Sequence, residues 1–589
     1  MYYFTRSLGI LKDEGISGLI RRAVRKLKRG SNYPDQNKLY SAWLEDVEKP
    51  YLTSEDWRAN IEKFKKSPKI SILMPVYNIS PEFLEEAIDS VRGQWYENWE
   101  LCLYDDASTN PQTIEFLKKL KRKKYEGKIK IKFGQNNQNI SGATNEAFSL
   151  STGEYLMLID NDDVLRPHAL YEVVKLINEK GDQDLVYFDE DKLDKFGQRI
   201  EPWFKPDFSP ELMWSMMYPT HAVYSRTIFE KAGKMRKGYE GSQDYDLCLR
   251  VMELTDKIEH VPWVLYSWRK VEGSTATGFG SKDYAMIAAK KALNDAINRR
   301  GLNGEIVNDF YPFLPVFEVE GQPSVEIIIP IKDKIKLLKT CLDSIWEHTT
   351  YENFSITVVN NDSEEEETLQ YLEGIRRRKN LKVIDYPKEY NFSAINNFAA
   401  KKSKADFMLF LNNDTEVIND NWLKGLLMWV QQEKVGAVGC KLLYPDKTVQ
   451  HAGVLLGVGG VANHAYYKQP EENNFYFNHL HCVKNYMAVT GACMMVSRKK
   501  FNEVGGFNEE LPLAFNDVEL CLKLYEKGYR NVYTPYVELY HYESKSRDPH
   551  VAESEDKYME EKWKKYIEND PHYNPNLNKN LVKTPIFSL

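Results

Sequence analysis

Two stretches of this chain, "LIDNDDVL" (158–165) and "LFLNNDTEV" (409–417), end an apolar run in carboxylates and amides. Asp160 and Asp162 stand two apart with Asp163 adjoining, and Asn412 and Asp414 repeat the spacing with one acid fewer. Carboxylates at i and i+2 on a strand-end turn can reach one divalent cation, or a cation and a sugar hydroxyl. Hard oxygen ligands of this kind suit Mg2+ or Mn2+ bridging phosphates. A single Asp-rich turn also arises where side chains merely cap backbone N–H groups, so the weight lies in order and repetition. "YDDAS" (104–108) places Asp105 and Asp106 at another apolar run's end, where an open α/β sheet would meet the base and ribose of a nucleotide. Gly142, in "NNQNISGATNEA" (136–147), precedes a helical pattern and allows backbone to approach a ligand closely.

The elements that must position these groups recur in two series. "KISILMPVYN" (69–78), "WELCLYDDAS" (99–108), "GKIKIKFGQN" (127–136) and "EYLMLIDNDD" (154–163) read as strands alternating with helical segments. "SVEIIIPIKD" (324–333), "FSITVVNNDS" (354–363), "LKVIDYPKEYN" (381–391) and "ADFMLFLNND" (405–414) restart the pattern. Pro75 to Asp106 spans 31 residues and Pro330 to Asp362 spans 32, while Asp106 to Asp162 spans 56 and Asp362 to Asp414 spans 52. Self-similarity at this length means two domains of one fold rather than a solenoid. The class expected is α/β, with two tandem, mostly parallel sheets covered by helices on both faces. The boundary falls in the Pro-rich "FYPFLPVFEVEGQPS" (310–324). The expected divisions are a basic helical extension over 1–68, domains over 69–315 and 316–560, and a tail over 561–589.

In their order, "PVYN" (75–78), "DDAS" (105–108), "DNDD" (160–163), "SQDYDL" (242–247) and "LYSWR" (265–269) resemble glycosyltransferase family 2 enzymes of the GT-A fold, a Rossmann-like architecture. The second series resembles the same family in "PIKD" (330–333), "NNDS" (360–363), "YNFSAINN" (390–397), "LNNDTEV" (411–417), "TGACMMVSR" (490–498), "FNDVEL" (515–520) and "LYHYESKSR" (539–547). The resemblance covers roughly residues 70–550. It implies inverting transfer of a sugar from a nucleotide-diphosphate donor to an acceptor hydroxyl, with Asp244 and Asp517 as general bases. Both precede helical patterns, where Asp also serves as a cap. The resemblance further implies a cation held by Asp162 in the first domain and by Asp414 and His541 in the second. Donor contacts are implied for Pro75, Tyr77, Asp106, Asp160, Arg269, Pro330, Asp362, Asn391, Asn412 and His451. His541 lies 24 residues beyond Asp517, whereas the first series reads "LYSWRK", with Ser267 or Trp268 opposite depending on a one-residue gap. "GSTAT" (273–277) and Arg547 are further candidates for facing the diphosphate.

A net charge of −7 offers no general case for nucleic acid as a partner. Seven cysteines without a CxxC pair point to reduced thiols and a cytoplasmic setting. No apolar run approaches the roughly 18–20 residues of a membrane span, and no signal peptide is expected at the N-terminus. "GISGLIRRAVRKLKRG" (15–30) instead sets Ile16, Ile20, Val24 and Leu27 against six basic residues, a pattern fit either for an anionic membrane surface or for docking on the protein itself. The partners expected are nucleotide-sugar donors and a saccharide or lipid-linked acceptor, handled at the inner face of the cell membrane. The product expected by analogy is a bacterial surface glycan such as an O-antigen, capsule or rhamnose-rich polysaccharide. Two alternatives share the motifs: a glycosaminoglycan-type polymerase alternating hexosamine and uronic acid, and a glycan-binding scaffold with one inactive copy.

Overall fold

A computed structural model describes residues 35–123, 127–270, 283–472, 476–542 and 553–580. The basic segment 15–30, "GSTAT" (273–277) and Arg547 lie outside the described residues.

The first series forms β1 (Ile70–Val76), β2 (Trp99–Asp105), β3 (Ile129–Phe133), β4 (Tyr155–Leu158), β5 (Val164–Leu165), β6 (Leu185–Leu193), β7 (Arg199–Trp203), β8 (Val223–Ser225) and β9 (Ile258–Arg269). They make one nine-stranded sheet in the order β3-β2-β1-β4-β8-β6-β9-β5, with β7 paired to β6. After a hairpin of β10 (Gly304–Ile306) and β11 (Pro315–Phe317), the second series supplies β12 (Val325–Ile331), β13 (Phe354–Asn360), β14 (Leu381–Asp385), β15 (Phe407–Leu411), β16 (Thr415–Val417), β17 (Val435–Leu443) and β18 (Val449–His451). It continues through β19 (Val454–Leu456), β20 (Ala462–His464), β21 (Lys484–Tyr486), β22 (Cys493–Ser497) and β23 (Arg530–His541). The second sheet runs β14-β13-β12-β15-β22-β17-β23-β16, the first order repeated strand for strand.

β1 reads "ISILMPV" with every residue buried, the continuous apolar run of a parallel strand covered on both faces. Side chains start the covering helices. Asn110 accepts from the N–H of Gln112 ahead of Pro111, and Ser225 and Ser497 cap their helices at equivalent places. In each sheet the strand order reverses beside β1 or β12, which opens a crevice at the carboxyl ends where the acidic turns lie.

One apolar core joins the sheets, running from Leu73, Tyr224 and Leu249 to Ile327, Leu427 and Val532. Polar clamps cross the same seam. The Arg530 guanidinium donates to Glu211 at 2.7–3.1 Å, and the Ser209 hydroxyl donates to Asn485 Oδ1 at 2.8 Å. The helix Glu553–Glu568 continues through residue 560. The chain then returns to the first domain, where Asn574 Nδ2 donates to Asp189 at 2.9 Å and to the Lys205 carbonyl at 2.8 Å. Asn576 accepts from the indole N–H of Trp43, in the helical segment before β1, at 3.2 Å. The seven cysteines are all buried thiols.

Candidate active sites

In the second domain three predicted residues meet side by side, and a backbone segment links them to a fourth. Asp414 Oδ1 lies 3.2 Å from His541 Nε2, and Asn412 Nδ2 lies 3.4 Å from the same nitrogen. The backbone N–H of Asn412 donates to the Ala492 carbonyl at 3.0 Å, and the neighbouring N–H of Gly491 donates to Asp517 Oδ2 at 2.6 Å. A dipeptide therefore spans from the acidic turn to the proposed base. Asp517 sits in the first turn of the helix Asn516–Glu526, where its Oδ1 accepts the N–H of Val518 at 2.8 Å. Cis ligands on an octahedral Mg2+ stand about 3 Å apart, so the Asp414–His541 separation fits a shared cation. Nδ1 of His541 is buried without a hydrogen-bond partner, which leaves Nε2 as the nitrogen that faces the acid. Among the described residues no three His, Cys, Asp or Glu side chains gather around one point. A cation held here would complete its shell with phosphate and water oxygens, as Mg2+ commonly does.

His451 has no exposed surface. Its Nε2 accepts from the N–H of Gly453 at 3.2 Å and of Thr490 at 3.4 Å. Burial, followed by the nearby His464 and His541, holds it neutral, well below the usual histidine range. It touches the residue next to Gly491 and so meets Asp517 only through that backbone. Asn391, expected at a donor, caps the helix Phe392–Lys402 by accepting from Ala394 at 2.9 Å and donates to the Glu509 carbonyl at 2.8 Å.

In the first domain the acidic turn is tied to β1 by Asn161 Nδ2, which donates to the Pro75 carbonyl at 2.9 Å. Asp160 is exposed, and its N–H donates to the Tyr266 hydroxyl oxygen at 3.2 Å. Burial pushes the Asp162 carboxyl up, opposed by backbone N–H and by Arg269. Asp163 is buried and turned inward, accepting the Tyr266 hydroxyl at 2.6 Å and the Arg269 backbone N–H at 2.8 Å. Arg269 donates from Nε to the Asp162 carbonyl at 2.7 Å and pairs with Glu86. Asp244, in the first turn of the helix Gln243–Met252, accepts the N–H of Tyr245 at 2.8 Å, and burial raises its carboxyl. Glu190 is the charge that acts on Asp244, and it lies 4.0 Å from His221, whose ring stacks on Tyr266 at 3.8 Å.

The ladders correct one landmark. Pro75 pairs with Tyr104 and Val76 with Asp105, while Pro330 pairs with Val359 and Ile331 with Asn360. The counterpart of Asp106 is therefore Asn361. Both donate their N–H to the preceding strand at 2.8 Å, to Val76 and Ile331. Asp362 stands one step on, exposed and at φ +57°, beside the counterpart Ala107 at +58°. Asp106 accepts from the Gln138 N–H at 2.8 Å and burial raises its carboxyl. Asn361 gives its amide N–H groups to the Tyr386 and Lys388 carbonyls at 3.1 and 2.7 Å, and its Oδ1 is buried without a hydrogen-bond partner. Tyr77, just past β1, is 49% exposed, whereas Pro75 is buried and Pro330 half-buried. Gly491 and Asn361 were not singled out from the sequence. "TGAC" and "NNDS" contain them, but only strand register distinguishes them from their neighbours.

Two α/β sheets of one strand order, each with acids at the carboxyl ends and an aspartate opening a helix, define a tandem, duplicated α/β architecture. The model of the family described as "Glycosyl transferase family 2" matches residues 71–233 and 326–505, and the chain belongs to that family. It is 40% identical over 535 residues to the uncharacterized protein y4gI of Sinorhizobium fredii, covering 88% of this chain and 58% of that one. To the O-antigen biosynthesis protein RfbC of Myxococcus xanthus it is 36% identical over 545 residues, covering 91% and 42%. The chain thus spans about half the length of these relatives. A chondroitin synthase of Escherichia coli is 27% identical over 263 residues, 43% of this chain and 36% of that one.

Proposed function

We propose that the chain is a bifunctional inverting glycosyltransferase, each domain transferring one sugar from a nucleotide-diphosphate donor to a growing bacterial surface glycan. The observation that carries this reading is the second-domain cluster, where Asn412 and Asp414 face His541 and the Gly491–Ala492 backbone joins their turn to Asp517. The Asp517 carboxylate takes the proton of the acceptor hydroxyl, and the freed oxygen forms a bond to the anomeric carbon from the face opposite the diphosphate. The bond from that carbon to the diphosphate oxygen breaks, and the nucleoside diphosphate departs with the electron pair. Gly491 N–H and the helix N-terminus orient the base. Asp414 and His541 would hold Mg2+ or Mn2+, which when bound offsets charge developing on the leaving diphosphate. Asp244 takes the base role in the first domain, with Asp106, Asp160 and Tyr77 lining its donor crevice.

The relationship to an O-antigen biosynthesis protein supports a surface polysaccharide as product, and the partial likeness to a chondroitin synthase supports the polymerase reading less broadly. Among the described residues no helix is long and apolar enough to cross a membrane. Segment 15–30 is proposed to bring the enzyme to an anionic inner leaflet and its lipid-linked acceptor; flotation of the full chain and a chain lacking residues 1–30 with anionic vesicles tests this. The domain limits 69–315 and 316–560 are proposed as the two catalytic units. A donor panel with Mg2+ or Mn2+, run on wild type, Asp244→Asn and Asp517→Asn, tests the function. Each substitution should abolish one linkage at least 100-fold while leaving its nucleotide sugar bound. Unchanged products in both variants would overturn the reading.

A further inference from the structure

The strand ladders decide which residues of the two domains occupy one position. In the second domain β16 lies against β23 with Thr415 opposite His541, Glu416 opposite Tyr540 and Val417 opposite Leu539. In the first, β5 lies against β9 with Val164 opposite Ser267 and Leu165 opposite Tyr266. Asp162 precedes Val164 by the same two residues that separate Asp414 from Glu416. The residue one step beyond Ser267, Trp268, therefore stands where His541 stands.

That exchange removes a ligand rather than moving it. Indole Nε1 carries a hydrogen and has no lone pair for a metal, unlike the imidazole Nε2 that lies 3.2 Å from Asp414. Ser267, the other sequence candidate, is fully buried and stands opposite Val164, one register step away from the place of His541. His221 does not substitute. Its ring stacks on Tyr266, meets Trp268 edge-on at 5.7 Å, and has its Nε2 near Glu190. Asp163 occupies the place of Thr415, with both carboxylate oxygens committed to Tyr266 and Arg269. The cationic group at this turn is the Arg269 guanidinium, bound to the Asp162 carbonyl at 2.7 Å.

We infer that the chain takes up a single divalent cation, in the second domain, and that the first donor site works without a cation held between an acid and an imidazole. The inference rests on the tandem-transferase reading but concerns metal uptake, which is measured separately. The full chain is titrated with MnCl2, with and without UDP, while free Mn2+ is followed by electron paramagnetic resonance. The expected result is one Mn2+ per chain. Asp414→Asn and His541→Ala should each remove it, with at least a tenfold loss of affinity, and Asp162→Asn should leave it. Trp268→His should raise the count to two, and adding Asp162→Asn to that variant should return it to one. Two ions on the wild-type chain, none, or one ion lost with Asp162→Asn would overturn the inference. If Trp268→His fails to fold, judged by its melting transition, the wild-type count and the three other substitutions decide alone. One Mn2+ bound by a chain that transfers no sugar would sustain this inference while overturning the enzymatic reading.

Discussion

The two proposed bases differ in what touches them. Asp517 accepts the Gly491 N–H at 2.6 Å. Ser225 faces Tyr155 and Ser497 faces Phe407 in matching ladders, and six residues before each lie Pro219 and Gly491. Proline has no N–H, so Asp244 cannot receive that bond. Burial raises its carboxyl, opposed by the Tyr245 N–H. A base must be ionised to act, and a raised carboxyl stays protonated to higher pH. First-domain transfer, measured in the Asp517→Asn background, is therefore expected to fall on the acid side with an apparent pKa above about 4, the ordinary aspartate value. An acid limb at or below that value would mean that Asp244 is not the group being titrated.

Elements set how closely backbone can approach these groups, and two glycines show the contrast. Gly453 follows β18 at φ +99°, and a Cβ there would lie 2.2 Å from Cδ2 of Tyr486. Its N–H also donates to His451, which in turn holds Thr490. Gly453→Ala should cost about 2 kcal/mol or more through backbone strain and the clash. At Gly491 a Cβ would meet Asp517 Cβ and Phe392 Cζ at 3.4 Å, ordinary contact, and the N–H would remain. Gly491→Ala should therefore change stability by no more than about 0.5 kcal/mol. Chemical denaturation of both variants checks the pair. The same strand geometry explains what was legible beforehand: β1, β4, β12 and β15 announce themselves as apolar runs, whereas β5 and β16, two and three residues long, do not. Those short strands nevertheless set the register that places Trp268 and His541.

At the scale of the molecule, the domains are one packed body joined by a shared core and by buried charge. Glu211 is 2% exposed, and Arg530 from β23 satisfies it with a two-pronged ion pair. Removing one partner strands a charge in the interior, so Arg530→Ala should destabilise by about 3–5 kcal/mol, and adding Glu211→Gln should recover part of that. Equal stability of wild type and Arg530→Ala in a denaturant titration would show that the pair carries no interdomain load. The segment 570–577 belongs to this scale too. "DPHYNPNL" reads as a polar tail, yet Asn574 and Asn576 stitch the first domain to the segment before β1.

Hydrophobic period and landmark spacing were enough to determine the duplicated α/β plan and the acids at the strand ends, and the resemblance of the motifs supplied the family. Asp162 and Asp414 could be named because strand-end turns leave local marks, whereas Asp244, Asp517 and His541 were named through the resemblance of their motifs to the family. Register has no such mark. A one-residue shift between distant strands moves a side chain to another face, and only the completed ladders settle it. Tertiary pairing thus decided that Asn361 rather than Asp362 answers Asp106, that Trp268 answers His541, and that His451 reaches Asp517 through backbone it supports.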